Sequence, residues 1–208
     1  MFFIDIKVGE IKTNCYIIAD DDTKECAIID PGGDYEDIVH IFERYNLKPT
    51  YILLTHGHYD HLLDANKIRD MYSAKVICHE EAVPFLDSST LNGSFYFGYD
   101  VTIKADKIVK EHDIIKLGKI EIKVLHVPGH APGSACYYIE SENIVFTGDT
   151  LFKETIGITN RFSYGSHELL MKNIKEKLIT LPSKTIVYPG HGGYTTVESE
   201  VNNNYFLK

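Results

Sequence analysis

Thr55-His56-Gly57-His58-Tyr59-Asp60-His61 is the stretch that decides how this chain is read. It sets three imidazoles and one carboxylate within the run 56–61. The apolar segment ahead of it, Tyr51-Ile52-Leu53-Leu54, follows Lys48-Pro49 and reads as a buried strand. The cluster therefore falls in the turn leaving a strand's carboxyl end, where α/β sheets place their ligands. Positions 56, 58 and 60 alternate, so an extended turn projects them to one side, while Asp60 and His61 can diverge. One metal ion can then take His56 and His58, and a second can take Asp60 and His61.

A single run cannot close two coordination shells, so further ligands must come from distant loops. Three segments supply them. His130 stands in Pro128-Gly129-His130-Ala131-Pro132-Gly133, just after a strand ending near His126. Gly129 and the flanking prolines suit a tight turn that holds one imidazole out. Asp149 follows the strand Asn143–Phe146 in Thr147-Gly148-Asp149-Thr150, and a carboxylate can bridge two cations. His191 follows Ile186-Val187-Tyr188 in Pro189-Gly190-His191-Gly192.

With these segments the chain resembles the metallo-β-lactamase-fold hydrolases, and among them the glyoxalase II-like members. Asn14-Cys15-Tyr16 and Ile29-Asp30-Pro31-Gly32 add to the likeness, which runs from about residue 10 to 205. The resemblance implies an α/β fold, a four-layer αββα sandwich, formed by one domain spanning 1–208. It implies His56, His58 and His130 on a first metal and Asp60, His61 and His191 on a second, with Asp149 bridging. Imidazole and carboxylate donors suit two divalent ions, with zinc expected and iron or manganese compatible. The activity implied is hydrolysis of a thioester, a hydroxyacyl ester of a small thiol. A hydroxide bridging the ions attacks the acyl carbon, with Asp60 orienting it or taking its proton. A thiolate leaves without prior protonation, which fits the lack of an evident extra general acid near the motifs.

Two other readings share this frame: a persulfide dioxygenase-like iron oxidoreductase, and a lactonase or β-lactamase. The first usually does without a full second shell, so Asp60, His61 and His191 favour hydrolysis. Two departures bear on the substrate. Glyoxalase II proper carries a helical domain after the last metal loop, whereas only Tyr194–Lys208 follow it here. Where the family reads Gly-Arg-Thr-Asp, this chain has Gly157-Ile158-Thr159-Asn160, with Arg161 the candidate stand-in for the Arg.

Composition agrees with a globular enzyme. The 208 residues are 44% hydrophobic, enough for one sizeable core. The net charge of −9, without a basic stretch, argues against nucleic-acid binding. Met1-Phe2-Phe3-Ile4-Asp5 has no basic n-region, and no apolar run reaches the roughly 18 residues of a membrane span, so a cytoplasmic location and a small-molecule substrate are expected. Cys15, Cys26, Cys78 and Cys136 are scattered and read as small core residues.

Periodicity predicts an N-terminal hairpin and a strand over 26–29. A helix follows Asp34, with Ile38, Ile41, Phe42 and Tyr45 along it. A second helix is predicted from about His61 to Tyr72, striped by Leu62, Ala65, Ile68 and Met71. A strand at 75–78 and a short helix over 80–86 come next, then an aromatic loop over 87–104 that either borders the cleft or folds onto the core. The second half predicts strands near 120–126, 135–140 and 143–147, a helix near 167–181, and a strand at 184–188. His40, His112 and His167 are expected at the surface, and His126 is either packed or near the metals.

Overall fold

The computed structural model describes residues 1–208. Strands β1 (Phe2–Val8), β2 (Thr13–Ala19), β3 (Glu25–Ile29), β4 (Lys48–Leu53), β5 (Lys75–His79) and β6 (Lys107–Val109) lie side by side in chain order in one sheet. Its first half is antiparallel and its second half, from β3 to β6, is parallel. A second sheet holds β7 (Ile114–Leu117), β8 (Ile120–His126), β9 (Ala135–Ile139), β10 (Ile144–Gly148), β13 (Ile186–Pro189) and β14 (Thr195–Thr196). A short ribbon, β11 (Leu151–Phe152) with β12 (Thr155–Ile156), links β10 to the helical face.

Alternation along the strands shows why two sheets stack with helices outside. In β2 to β5, Cys15, Ile17, Ala19, Cys26, Ile28, Ile52, Val76 and Cys78 point to one face and pack under helices α1 (Tyr35–Arg44) and α2 (Ala65–Tyr72), joined by Leu86 of the short α3 (Val83–Leu86). Their neighbours Tyr16, Ile18, Ala27, Ile29, Leu53 and Ile77 point to the other face and meet Ile122, Val124, Tyr137, Ile139, Ile144 and Phe146 of the second sheet. Leu125, Cys136, Tyr138, Val145 and Val187 face outward again, under α4 (His167–Asn173), its π-helical extension Ile174–Leu178, and α5 (Val197–Asn203). A period of two that is apolar on both faces belongs to sheets covered on both sides. The result is the expected four-layer αββα sandwich. Buried Tyr137 ties the sheets together by donating its hydroxyl to the Leu54 carbonyl at 2.8 Å.

All four cysteines are buried and unpaired, three of them in the core beneath α1 and α2. Three expectations need correcting. The segment Tyr59–His61 is a 3-10 turn, and α2 begins only at Ala65, because backbone geometry there serves the side chains of 58–61. Met71 is 64% exposed and Tyr45 40% exposed, so the apolar stripes of α2 and α1 end a turn earlier than the spacing predicts. Strands β6, β7, β11, β12 and β14 and helix α5 have no counterpart in the sequence reading. Each is short or half exposed, which leaves too few residues for a period to register.

Candidate metal centre

The seven candidate residues, separated by up to 135 positions in the chain (56 to 191), converge in one place. Their loops leave the carboxyl ends of β4, β8, β10 and β13, which open on the same side of the sandwich. Local chemistry fixes each loop. Gly57 has to be glycine, since a Cβ there would stand 2.4 Å from Phe85 Cβ. The Ala135 N–H donates to the Thr55 carbonyl at 2.7 Å, so the start of β9 holds the His56 turn. From the first sheet, Asn14 N–H donates to the Gly190 carbonyl at 2.7 Å, and the Tyr16 hydroxyl to the Pro189 carbonyl at 2.6 Å. Asn14 and Tyr16 thus clamp the His191 loop.

Two groups of donor atoms result. In the first, His58 Nδ1 lies 3.0 Å from both His56 Nε2 and His130 Nε2. In the second, Asp60 Oδ2 lies 3.2 Å from His61 Nε2 and 3.2 Å from His191 Nε2. Asp149 spans them: Oδ1 is 3.5 Å from His61 Nε2, while Oδ2 is 3.8 Å from His130 Nε2 and 3.7 Å from His191 Nε2. The structure thus brings His56, His58 and His130 into one group and Asp60, His61 and His191 into another, with Asp149 between them.

A divalent cation fits these groups on three grounds. Buried His61 Nε2 and Asp149 Oδ1 have no hydrogen-bond partner in the protein, and an orphaned buried polar atom calls for an explanation. Three imidazole nitrogens, of His56, His58 and His130, converge so that all three lone pairs can be turned on one cation. Burial, reinforced by the neighbouring imidazoles, holds His56 well below its ordinary pKa and His58 down at about 3, so both present neutral rings as metal ligands must. In the second group burial works against the charges, yet Asp60, Asp149 and Asp30 overcome it and raise His61. For Asp60 burial likewise pushes upward, and the neighbouring charge of His61, with His191 on the same carboxylate, prevails and lowers the carboxyl far below its usual range.

The outer hydrogen bonds were not foreseen from sequence. Asp30, at the end of β3, accepts from the Thr55 N–H at 2.8 Å, the Thr55 hydroxyl at 2.6 Å and His61 Nδ1 at 2.9 Å. Thr55 Oγ1 stands 3.1 Å from His56 Nδ1, and having given its proton to Asp30 it accepts there. His130 Nδ1 donates to the Ile158 carbonyl at 2.8 Å, His58 Nε2 meets the Tyr164 hydroxyl at 2.8 Å, and the Thr13 hydroxyl donates to Asp60 Oδ2 at 3.0 Å. A lone acid closing an apolar strand ahead of Pro31-Gly32 was the one visible signal for Asp30; Thr13, Thr55 and Tyr164 carried none.

Above the ligands opens a cleft of about 860 Å³. Ile11, Phe97, Phe152, Ile158 and Phe162 give it an apolar wall, and Arg161 and Lys153 bring positive charge. Of the aromatics in the 87–104 loop, Phe97 borders the cleft, whereas Phe95 and Tyr96 are exposed away from its lining. Phe97 is 53% exposed, stacks on Tyr59 at 4.5 Å and borders the opening. His79 and His126 stack on each other at 3.7 Å, apart from the seven, and His40, His112 and His167 lie at the surface.

Fold and site together define a metallohydrolase-type αββα protein, and residues 8–191 match the model of the metallo-β-lactamase superfamily, to which the chain belongs. Among curated proteins it is similar to the probable metallo-hydrolase YqgX of Bacillus subtilis, 38% identical over 96% of this chain and 94% of that one. It is also similar to the hydroxyacylglutathione hydrolase GloC of Haemophilus influenzae, 36% identical over 97% and 96%. Among solved structures, the BLEG-1 B3 metallo-β-lactamase superposes with a TM-score of 0.94 at 40% identity, each chain fully covered. TTHA1623 in a di-iron-bound form gives 0.86 at 28% identity over 98% and 100%. ETHE1 from Myxococcus xanthus gives 0.81 at 27% over 99% and 84%. No helix is long and apolar enough to cross a membrane.

Proposed function

We propose that this protein hydrolyses a thioester at a two-metal centre, with His56, His58 and His130 holding one ion, Asp60, His61 and His191 the other, and Asp149 shared. The observation that carries the reading is Asp149, whose carboxylate lies between the two histidine groups, Oδ1 toward His61 and Oδ2 toward both His130 and His191, while Oδ1 is buried without a hydrogen-bond partner in the protein. Two divalent ions held there supply a water acidic enough to ionise near neutral pH and a Lewis acid for an acyl oxygen. Zinc suits the five imidazoles and two carboxylates, and the likeness to a di-iron protein keeps iron open to the same donors.

The chain's own residues do the rest. Asp60, with Thr13 donating to Oδ2, faces the cleft and can orient the attacking water and accept its proton. Phe97, Phe162 and Ile158 exclude water from the acyl portion and seat an apolar chain. Arg161 and Lys153 face any anionic part of the thiol portion. Outside the seven the cleft offers Lys153 and Tyr59 but no histidine or carboxyl group as a proton donor, and a thiolate, which departs without prior protonation, suits that lining. The likeness to a hydroxyacylglutathione hydrolase points the same way.

The likeness to ETHE1 is the observation favouring a second reading, an iron oxidoreductase acting on persulfides. The complete Asp60–His61–His191 group supports hydrolysis. The deciding experiment loads the purified protein with zinc or iron, counts metal per chain, and assays matched thioesters, lactones, a β-lactam and a persulfide. Thioester turnover with two ions bound is expected. Oxygen consumption with a persulfide and no thioester cleavage would overturn the proposal.

A further inference from the structure

The segment from Gly157 to Ser166, where this chain departs from the expected Gly-Arg-Thr-Asp pattern, touches two of the three imidazoles in the first group. Its Ile158 carbonyl accepts from His130 Nδ1 at 2.8 Å, and its Tyr164 hydroxyl stands 2.8 Å from His58 Nε2. The two contacts differ in kind. His56 and His130 turn Nε2 inward and are held at Nδ1, whereas His58 turns Nδ1 inward and leaves Nε2 as its outer nitrogen. An imidazole that offers Nδ1 as a lone pair must carry its proton on Nε2. The partner of Nε2 therefore selects both the tautomer and the ring orientation, since a flipped ring would present carbon to that partner.

Tyr164 is built to be that partner. Its ring is half buried, edge-on to Phe85 at 4.9 Å and 89°, and stacked on Phe162 at 5.1 Å and 12°. Phe162 also lies 5.4 Å from the His58 ring, so two side chains of one loop bracket that imidazole. Downstream, the Ser166 N–H donates to the Gly129 carbonyl at 2.8 Å, anchoring the loop beside His130. The hydroxyl is delivered from a fixed ring on a tethered loop rather than from a mobile surface side chain.

We infer that Tyr164 is a positioning residue for the first ion: its hydroxyl, held by Phe85 and Phe162, fixes His58 with Nε2 protonated and Nδ1 aimed at the point shared with His56 and His130. The inference rests on the reading above that this group holds a cation. Outer partners of metal-bound imidazoles orient the ring and raise its basicity, and losing one lowers metal affinity by roughly 10–100-fold.

Tyr164→Phe is the test, because it deletes the hydroxyl and keeps the ring against Phe85 and Phe162. Wild type and variant are stripped with a chelator, then titrated with zinc against a chromophoric competitor, and the stripped proteins are melted in parallel. One of two binding constants should weaken by roughly 10–100-fold, the other should hold, and the stripped proteins should melt together. Nitrogen-detected NMR of the zinc form should show the Nε2–H tautomer of His58 in wild type. Unchanged constants would overturn the inference, as would equal weakening of both with a lower melting point in the stripped variant, which is what a merely structural Tyr164 gives. A wild type that binds only one ion would sink the two-ion reading, and whether that single constant moves in Tyr164→Phe would still decide the role of Tyr164.

Discussion

Replacing Asp30 by Asn should weaken the protein's hold on its second ion without unfolding it. The Asp30 carboxylate is 1% exposed and receives three donors: the Thr55 N–H on Oδ1, and the Thr55 hydroxyl and His61 Nδ1 on Oδ2. Asn has the same shape, but one oxygen becomes a donor. If the amide nitrogen takes the Oδ1 place it meets a backbone N–H, which has no acceptor to offer. It therefore takes the Oδ2 place, where the Thr55 hydroxyl can rotate and accept. His61 can escape the second donor clash only by moving its proton from Nδ1 to Nε2. That is the nitrogen facing Asp60 and Asp149, and a protonated Nε2 cannot bind a cation. Affinity for the second ion should fall roughly 10–100-fold, about 1.4–2.8 kcal/mol at about 1.4 kcal/mol per decade. The stripped protein also loses hydrogen bonds to a charged acceptor, worth about 1.5–3 kcal/mol, which lowers Tm by roughly 3–12 °C at about 2–4 °C per kcal/mol for a chain of this size. Chelator competition and calorimetry of the stripped protein measure both. Two ions bound at wild-type affinity, in a variant whose Tm has fallen within that range, would refute the tautomer argument while leaving the buried network intact.

Asp60→Asn should keep the far-UV spectrum and lower kcat on the order of a hundredfold, as removal of a placed acid–base group does; undiminished turnover would show that other groups hold the nucleophile. Gly190→Ala places a Cβ 2.2 Å from Asp149 Oδ1 and 2.7 Å from His61 Cε1, so elemental analysis should find fewer than two ions in a folded variant, and two retained ions would contradict the assigned geometry. Burial first, and for His126 also the facing His79, lowers both members of the stacked pair, against the opposing pull of Glu81 and Glu111. Below about pH 6.5 the unfolded chain then binds protons that the native pair refuses, so stability falls as pH drops; His79→Phe should flatten that slope in pH-resolved melts, and an unaltered slope would acquit the pair. Across lactoyl thioesters of glutathione and shorter thiols, kcat/KM should vary by roughly tenfold or less, and a preference for the glutathione ester above roughly a thousandfold would reveal a dedicated thiol site.

Strands β2, β3, β5, β9 and β10 are legible because they are apolar on both faces, a pattern produced by sheets covered on both sides, while the four-layer order is what the family resemblance implies. Where burial is one-sided or brief the pattern fades. Lys107-Ile108-Val109 forms β6 through hydrogen bonds to β5, yet Ile108 is 52% exposed, and three residues cannot establish a period. The start of α2 was misplaced for a related reason. Leu62, Ala65 and Ile68 are all buried at helical spacing, but Asp60 and His61 occupy a 3-10 turn whose backbone points them at different partners. The amphipathic stripe records burial, and burial does not require that every residue carrying it be helical.

The meeting of the seven donor residues was legible for a different reason. Each follows an apolar strand and stands in a glycine-marked turn, so its place at a strand's carboxyl end could be read locally, and a common sheet direction brings such ends together. The residues that orient them could not be read this way. Thr55 acts only because Asp30, 25 positions earlier, accepts its hydroxyl hydrogen bond, and Tyr164 only because the loop after β12 returns to His58, 106 positions away. A side chain whose role is set by the nitrogen left over on another ring leaves no mark on its own neighbours in sequence. The same asymmetry bears on substitution. A change at one of the seven donors removes an atom that a cation needs, whereas a change at Asp30 or Tyr164 keeps every donor and alters which nitrogen bears the proton. Metal affinity measured site by site, rather than activity, therefore separates the two kinds of residue.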